Sequence, residues 1–136
     1  MPEKPPVVAE LVWSTQLQFG ATSGTNALII DGDSAAGASP VQLLAMALAS
    51  CMSIDVVDIL QKGRHPLTAF RSKLTGVRAA APPRRLLAVT LEFSVHGEVP
   101  EAAVERAIAL SRDKYCSVWH SLRQDITLST TFQIHP

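Results

Sequence analysis

Cysteine, aromatic residues and excess charge of either sign are all scarce in this chain of 136 residues. The two cysteines are too few for the disulfide framework of a small secreted protein. Acidic and basic residues number 12 each and form no clusters, which argues against a surface for nucleic acid or membranes. The opening segment MPEKPPVV lacks the apolar core of a signal peptide. We therefore expect a cytoplasmic protein that binds neither nucleic acid nor membrane.

The usual sequence motifs for cofactors and metals are missing as well. The chain has no phosphate loop, no dinucleotide fingerprint and no G-x-S-x-G elbow. Three of its four histidines, His65, His96 and His135, lie beside turns or at the end of the chain, and no two of these have the spacing of metal ligands. The sequence therefore predicts neither a metal site nor a bound cofactor.

One long apolar helix is predicted from Ser39 to Gly63. Ser39 is a good N-cap, and Gln42 stands at the position that completes a capping box with it. Gly63 is expected to take the left-handed conformation that ends the helix. Every residue in the segment 43–49 is apolar, so we expect this helix to be buried on all sides. A chain of this length has little material for such a cover, so a second copy is expected to supply part of it.

The other elements follow from hydrophobic periodicity and turn residues. A loose, proline-rich start is predicted for residues 1–6. The predicted strands cover Val7–Trp13, Leu17–Phe19, Asn26–Asp31, Phe70–Arg78, Leu87–His96 and the segment from Ile126 onward, and the two later helices cover Glu101–Lys114 and Ser117–Arg123. The order βββ-α-ββ-α-α-β predicts a single α+β domain over residues 1–136 with a mostly antiparallel sheet.

The two cysteines are the candidate reactive residues. Cys51 lies in the middle of the long helix, where structural burial is the favoured interpretation. Cys116 has more polar neighbours, and for this residue burial and reactivity are equally favoured. Their separation of 65 residues (116 − 51) does not show whether the thiols meet. If they meet in an intracellular protein, a redox pair is favoured over a structural disulfide.

Two sources of activation are open for Cys116. If the helix around it is continuous, Arg112 and His120 lie at i−4 and i+4 on its face, although a solvated helix face explains them equally well. If a new helix begins at Ser117, Cys116 lies at a positively polarised helix N-terminus. Within the helix of Cys51, the only nearby charge is Asp55 at i+4, and a carboxylate disfavours a neighbouring thiolate.

Two segments of the chain resemble the OsmC/Ohr family of thiol-dependent peroxide reductases. Residues 37–64, GASPVQLLAMALASCMSIDVVDILQKGR, are similar to the proline-led helix of that family with a cysteine near its middle. Residues 113–122, DKYCSVWHSL, are similar to its Tyr-Cys-x-Val segment. With the order of the strands, the resemblance covers nearly the whole chain. It implies an OsmC-like fold and an intertwined homodimer in which two long helices pack between sheets, with sites at the subunit interface.

The resemblance also implies a two-cysteine reaction in oxidative-stress defence. Cys51 corresponds to the peroxidatic cysteine, whose thiolate attacks an organic hydroperoxide or hydrogen peroxide and becomes a sulfenic acid. Cys116 corresponds to the resolving cysteine, which condenses with that sulfenic acid to form a disulfide. The implied partners are a second copy of the chain, a small peroxide and an external dithiol that reduces the disulfide.

The chain departs from the better-known peroxidases of the family at the activating residues. Those enzymes pair a carboxylate just after the helix-starting proline with an arginine from the N-terminal strands. Here Val41 and Gln42 occupy the helix positions, and no arginine precedes Arg64. These positions therefore do not identify the group that activates Cys51, and the partner chain, Arg71 and Arg78 are the sources considered for an arginine. The alternative function is a non-catalytic dimer that binds a small ligand or senses the redox state.

Overall fold

The computed structural model describes residues 3–136. Met1 and Pro2, where the predicted loose start begins, lie outside this range, and residues 3–9 have no regular secondary structure. The described elements are β1 (Glu10–Thr15), β2 (Gln18–Ser23), β3 (Asn26–Asp31), α1 (Pro40–Lys62), β4 (Ala69–Arg78), β5 (Leu86–His96), α2 (Glu101–Leu110), a π-helical turn (Ser111–Tyr115), α3 (Ser117–His120) and β6 (Thr127–His135).

These elements confirm the predicted α+β class. Strands β1, β2 and β3 form an antiparallel meander, and β4, β5 and β6 form a second sheet with β5 in its centre. The β4–β5 pair is antiparallel, whereas β5 and β6 run parallel. Parallel neighbours need a long crossover, and here the crossover contains α2, the π-helical turn and α3. This crossover carries Cys116.

The chain divides into two compact units, one ending at Leu44 and the other beginning at Ala45. In the first unit, the carboxylate of Asp31 is buried and organises the loop that leads into α1. It accepts hydrogen bonds from the N–H groups of Ala36, Asp33 and Ala35. These bonds hold the pKa of Asp31 below its usual range, and the bond from Ala36 contributes most to that lowering.

The β1–β3 meander leaves many apolar side chains exposed. Strand β1 has no buried residue along its whole length. The large exposed apolar residues of this first unit are Val7, Val8, Leu11, Val12, Trp13, Leu17, Leu28 and Ile29. So many large apolar side chains exposed in one small unit are unusual for a soluble monomer.

The start of α1 is capped as predicted. The N–H of Gln42 donates to Ser39 Oγ at 3.3 Å, and the N–H of Ser39 donates to Gln42 Oε1 at 2.9 Å. This reciprocal pair is the capping box, which satisfies two backbone donors that the first turn leaves without a partner.

The prediction for the end of α1 is wrong in one respect. The residue with a left-handed conformation is Arg64, with φ of 59°, and not Gly63. The N–H of His65 donates to Leu60 O and that of Arg64 to Gln61 O, which is the pattern of a Schellman motif with Arg64 as its left-handed residue. A Cβ at Gly63 would lie 2.9 Å from Cδ2 of His65, so an alanine there requires only a shift of the His65 ring.

The prediction that α1 is buried on all sides is wrong for a single chain. Its buried residues form one stripe at intervals of four, namely Leu48, Met52, Val56 and Leu60. On another face Met46 is 51% exposed and Ile54 is 66% exposed. By length and composition α1 is also apolar enough to cross a membrane, a test that core helices of soluble proteins pass too.

Strand β5 supplies the core of the second unit. Its predicted alternation is confirmed for Val89, Leu91, Phe93 and Val95, which are all buried. At its start, however, Leu86 is buried and Leu87 is exposed. A β-bulge explains the difference, because the register between β4 and β5 shifts at this point and leaves one residue out of the ladder.

Candidate functional site

The segment before Cys116 is not a continuous helix. Helix α2 has ten residues and ends at Leu110, and the π-helical turn follows it. Cys116 itself is extended, with φ of −71° and ψ of 97°, and α3 begins at Ser117. Of the two arrangements left open by the sequence, the new helix at Ser117 is therefore correct. Arg112 and His120 do not share one helix face with Cys116.

The Cys116 thiol is buried, whereas its polar neighbours in the sequence suggested an accessible one. The residue is 0% exposed, and the backbone N–H of Trp119 donates to its Sγ at 3.4 Å. Burial raises the pKa of Cys116 from its ordinary 9.0 to about 11, although the N–H of Trp119 acts in the opposite direction. The expectation that a helix N-terminus activates Cys116 is therefore wrong, because desolvation outweighs the single N–H bond.

The Cys51 thiol lies beside this buried group. Its Sγ is 4.0 Å from Oγ of Ser117, the residue next to Cys116. Besides burial, which is the main cause, a side-chain hydrogen bond with Cys51 also raises the pKa of Cys116. Helix α1 and the crossover thus bring the two predicted site residues together. Cys51 is the half-buried member of the pair, so the expected order of burial is reversed.

Asp55 and Ser111 complete the surroundings of the thiols. Asp55 follows Cys51 by one helical turn, and its Oδ2 accepts a hydrogen bond of 2.8 Å from Oγ of Ser111. Its charge also raises the pKa of Cys116. Sequence spacing identified Asp55 but not Ser111, which is 0% exposed and comes from a distant part of the chain. No local pattern marks a contact between residues 56 positions apart.

Of the two arginines considered as activators of Cys51, Arg78 has a hydrogen-bond partner elsewhere and Arg71 lies on the other face of its sheet. Arg78 donates from Nε to the carbonyl oxygen of Arg84 at 2.9 Å. Arg71 is paired in register with Ser94, on the face of the sheet opposite the buried Phe93. The carboxylate of Asp55 raises the pKa of Cys116, so it disfavours a thiolate at that residue.

Other polar side chains near Cys116 line open grooves. Arg112 and His120 contribute to a groove of about 530 Å³, together with Trp119 and Asp125. Asp125 is itself held by Arg123, at 2.6 Å from Nε to Oδ1. Residues 3–136 contain no cluster of three or more His, Cys, Asp or Glu side chains that could hold a metal ion.

The raised pKa of Cys116 predicts a loss of stability in alkaline solution. The folded protein keeps the thiol proton up to about pH 11, whereas the unfolded chain releases it near pH 9. This contribution is therefore complete below pH 9 and is lost as the pH rises through 11. Urea unfolding of the reduced protein should show the free energy of unfolding falling by roughly 1–2 kcal/mol more than in Cys116→Ala over that range. Equal pH dependence in both proteins would contradict the assignment.

Comparisons with known proteins agree with this arrangement. The family model described as OsmC-like protein matches residues 31–131. Protein YhfA of Escherichia coli K12 is 36% identical over 129 residues, which are 93% of this chain and 96% of YhfA. A hypothetical protein from Aquifex aeolicus VF5 is 26% identical and superimposes with a TM-score of 0.89, over 96% of this chain and 97% of that protein.

A more distant structure shares the fold. It is an organic hydroperoxide resistance protein OsmC from Legionella pneumophila, 13% identical with a TM-score of 0.71 over 97% of this chain and 99% of that one. The family match covers the long helix with Cys51 and the crossover with Cys116. The chain belongs to the OsmC-like family.

Proposed function

We propose that this protein is a two-cysteine thiol peroxidase that reduces a small organic hydroperoxide or hydrogen peroxide. The observation that carries the proposal is the half-buried Cys51 thiol beside the fully buried Cys116 thiol. Exposure lets a peroxide reach Cys51, and burial keeps Cys116 protonated until Cys51 has been oxidised. The hydroperoxide resistance protein that shares the fold supports a peroxide as substrate.

The proposed reaction has two steps before reduction. The Cys51 thiolate attacks the distal oxygen of the hydroperoxide, the O–O bond breaks, and the leaving alkoxide takes a proton and departs as an alcohol. Cys51 is then a sulfenic acid. The sulfur of Cys116 attacks the Cys51 sulfur, and the sulfenic oxygen leaves as water with the proton of Cys116. An external dithiol reduces the disulfide and restores both thiols.

The proposed functional unit is a soluble, cytoplasmic homodimer. Along α1 the residues Met46, Ser50, Ile54 and Asp58 form an exposed row at intervals of four. An exposed row that contains Met46 and Ile54 costs free energy in water, and a second copy of the chain would bury it. The exposed apolar side chains of β1–β3 provide further surface of the same kind.

A redox-sensing dimer is the second candidate function. It is favoured by the carboxylate of Asp55, which stands where a faster peroxidase would need a positive charge. Such a sensor would form the same disulfide between Cys51 and Cys116 but would turn over slowly. The two functions differ in the number of peroxide molecules consumed per protein in the presence of a dithiol.

The test is consumption of cumene hydroperoxide and hydrogen peroxide with dithiothreitol as reductant. We expect repeated turnover by the unmodified protein and at least a ~100-fold lower rate in Cys51→Ser, because the serine hydroxyl is not a nucleophile at neutral pH. Cys116→Ser should still react once and leave a sulfenic acid that dimedone captures. A single turnover in the unmodified protein would favour the sensor. Equal rates in Cys51→Ser would overturn both functions.

A further inference from the structure

Ser111 links the two thiol-bearing segments of the chain. It stands where α2 gives way to the π-helical turn, and it is 0% exposed. Its hydroxyl donates to Oδ2 of Asp55 at 2.8 Å, and its carbonyl oxygen accepts the N–H of Cys116 at 2.8 Å. Since Asp55 lies one turn after Cys51 on α1, a single residue connects the helix of the first thiol to the backbone of the second.

The two bonds of Ser111 have distinct consequences. The bond from Cys116 N–H to Ser111 O spans five residues, which is the wide turn of a π-helix, and it closes that turn at Cys116. The bond from Ser111 to Asp55 joins a hydroxyl to a carboxylate, and charge-assisted bonds of this type are roughly twice as strong as neutral ones. Together they fix the backbone of Cys116 relative to α1.

We propose that Asp55 and Ser111 are positioning residues that hold the Cys116 thiol against the Cys51 thiol and thereby govern disulfide formation between them. This inference rests on the proposed thiol chemistry of the two cysteines. Asp55 and Ser111 act through the backbone of Cys116 and take no part in bond exchange.

Asp55 has a second effect, which can be separated from the first. Its charge raises the pKa of Cys116, so it also disfavours the thiolate there. Ser111→Ala removes the hydrogen bond and leaves the charge of Asp55. Asp55→Asn removes the charge and leaves an oxygen that accepts the hydroxyl of Ser111. The two variants therefore distinguish positioning from electrostatics.

The experiment is an equilibrium with reduced and oxidised glutathione. Glutathione disulfide takes two electrons from the thiol pair, which yields the disulfide between Cys51 and Cys116 and two molecules of reduced glutathione. We expect Ser111→Ala to lower the equilibrium constant for the protein disulfide about tenfold, because the thiols are held together less well. Asp55→Asn should stay within about threefold of the unmodified protein at pH 7, and its Cys116 should react faster with iodoacetamide at pH 9.

A matched control comes from the same helix. Ser53 donates to Oγ of Ser72 at 2.8 Å, so Ser53→Ala removes a serine hydrogen bond of the same length without touching the segment of Cys116. Its equilibrium constant should equal that of the unmodified protein. If Ser53→Ala and Ser111→Ala shift the equilibrium equally, or if neither shifts it, the positioning role is refuted.

A second variant covers the case in which Ser111→Ala does not fold. Asp55→Ala removes the acceptor from a half-buried position, and it should lower the equilibrium constant about tenfold as well. An unchanged constant would overturn the proposal. Because the equilibrium uses glutathione, it is independent of peroxide. Failure of the peroxidase assay alone would refute the proposed function, and an unshifted glutathione equilibrium alone would refute the positioning pair.

Discussion

Gly97→Ala is expected to destabilise the fold of this protein strongly. Gly97 follows β5 and has φ of 122°, a conformation that residues with a side chain rarely adopt. A Cβ at this position would lie 2.1 Å from the carbonyl oxygen of Pro66, which is backbone and has no rotamer by which to move away. The strain and the overlap together should cost at least about 3 kcal/mol, a large share of the ~5–15 kcal/mol that stabilises a typical domain.

Soluble yield and urea unfolding measure this effect, and Gly24→Ala is the matched control. Gly24 also has a positive φ, 59°, but nothing lies within 4 Å of the Cβ that alanine would add. This control should lose only about 1 kcal/mol, the cost of a left-handed alanine. A Gly97→Ala protein as stable as Gly24→Ala would show that the segment of Pro66 yields easily.

Ile54→Glu is expected to split the proposed homodimer into monomers. Ile54 is 66% exposed on α1, so a glutamate there is solvated in a single chain and leaves its fold intact. In the dimer, the same carboxylate would be buried at the contact with the second copy and would have no opposite charge beside it, which costs several kcal/mol. We therefore expect the dissociation constant to rise at least ~100-fold.

Sedimentation at micromolar concentration tests this prediction. The unmodified protein should be a dimer and Ile54→Glu a monomer with unchanged circular dichroism. Ala102→Glu is a suitable control, because Ala102 is exposed in the first turn of α2, where a negative charge is favourable. A monomeric unmodified protein, or a dimeric Ile54→Glu, would refute the association through α1.

Features that depend on neighbouring residues could be predicted from the sequence. The capping box of Ser39 and Gln42 and the alternation along β5 are local patterns, and both are present. The sequence predicted a mostly antiparallel sheet and assigned no direction to β6, which runs parallel to β5. A helix between two strands is the usual connection of parallel neighbours. The order of the elements along the chain does not show which strand β6 pairs with, and so it left the direction of β6 open.

The misjudged parts of the site depend on contacts between distant residues. Cys116 is buried by residues that are distant in the sequence. Its polar neighbours in the sequence had instead indicated an accessible thiol. The π-helical turn also lacks a sequence signal, since its residues SRDKY contain no glycine or proline that would interrupt α2. For Cys51, apolar neighbours on every side of α1 could not show which face remains accessible.

The pairing of Cys51 with Cys116 has a consequence for chain entropy. A disulfide between them would close a loop of 65 residues (116 − 51) in the unfolded chain. Loop closure of that length removes conformational freedom worth about 4 kcal/mol at 25 °C. By the thermodynamic cycle, the folded protein would favour the disulfide about a thousandfold more than the unfolded chain does. In the proposed reaction, each round of reduction would therefore temporarily lower the resistance of the protein to unfolding.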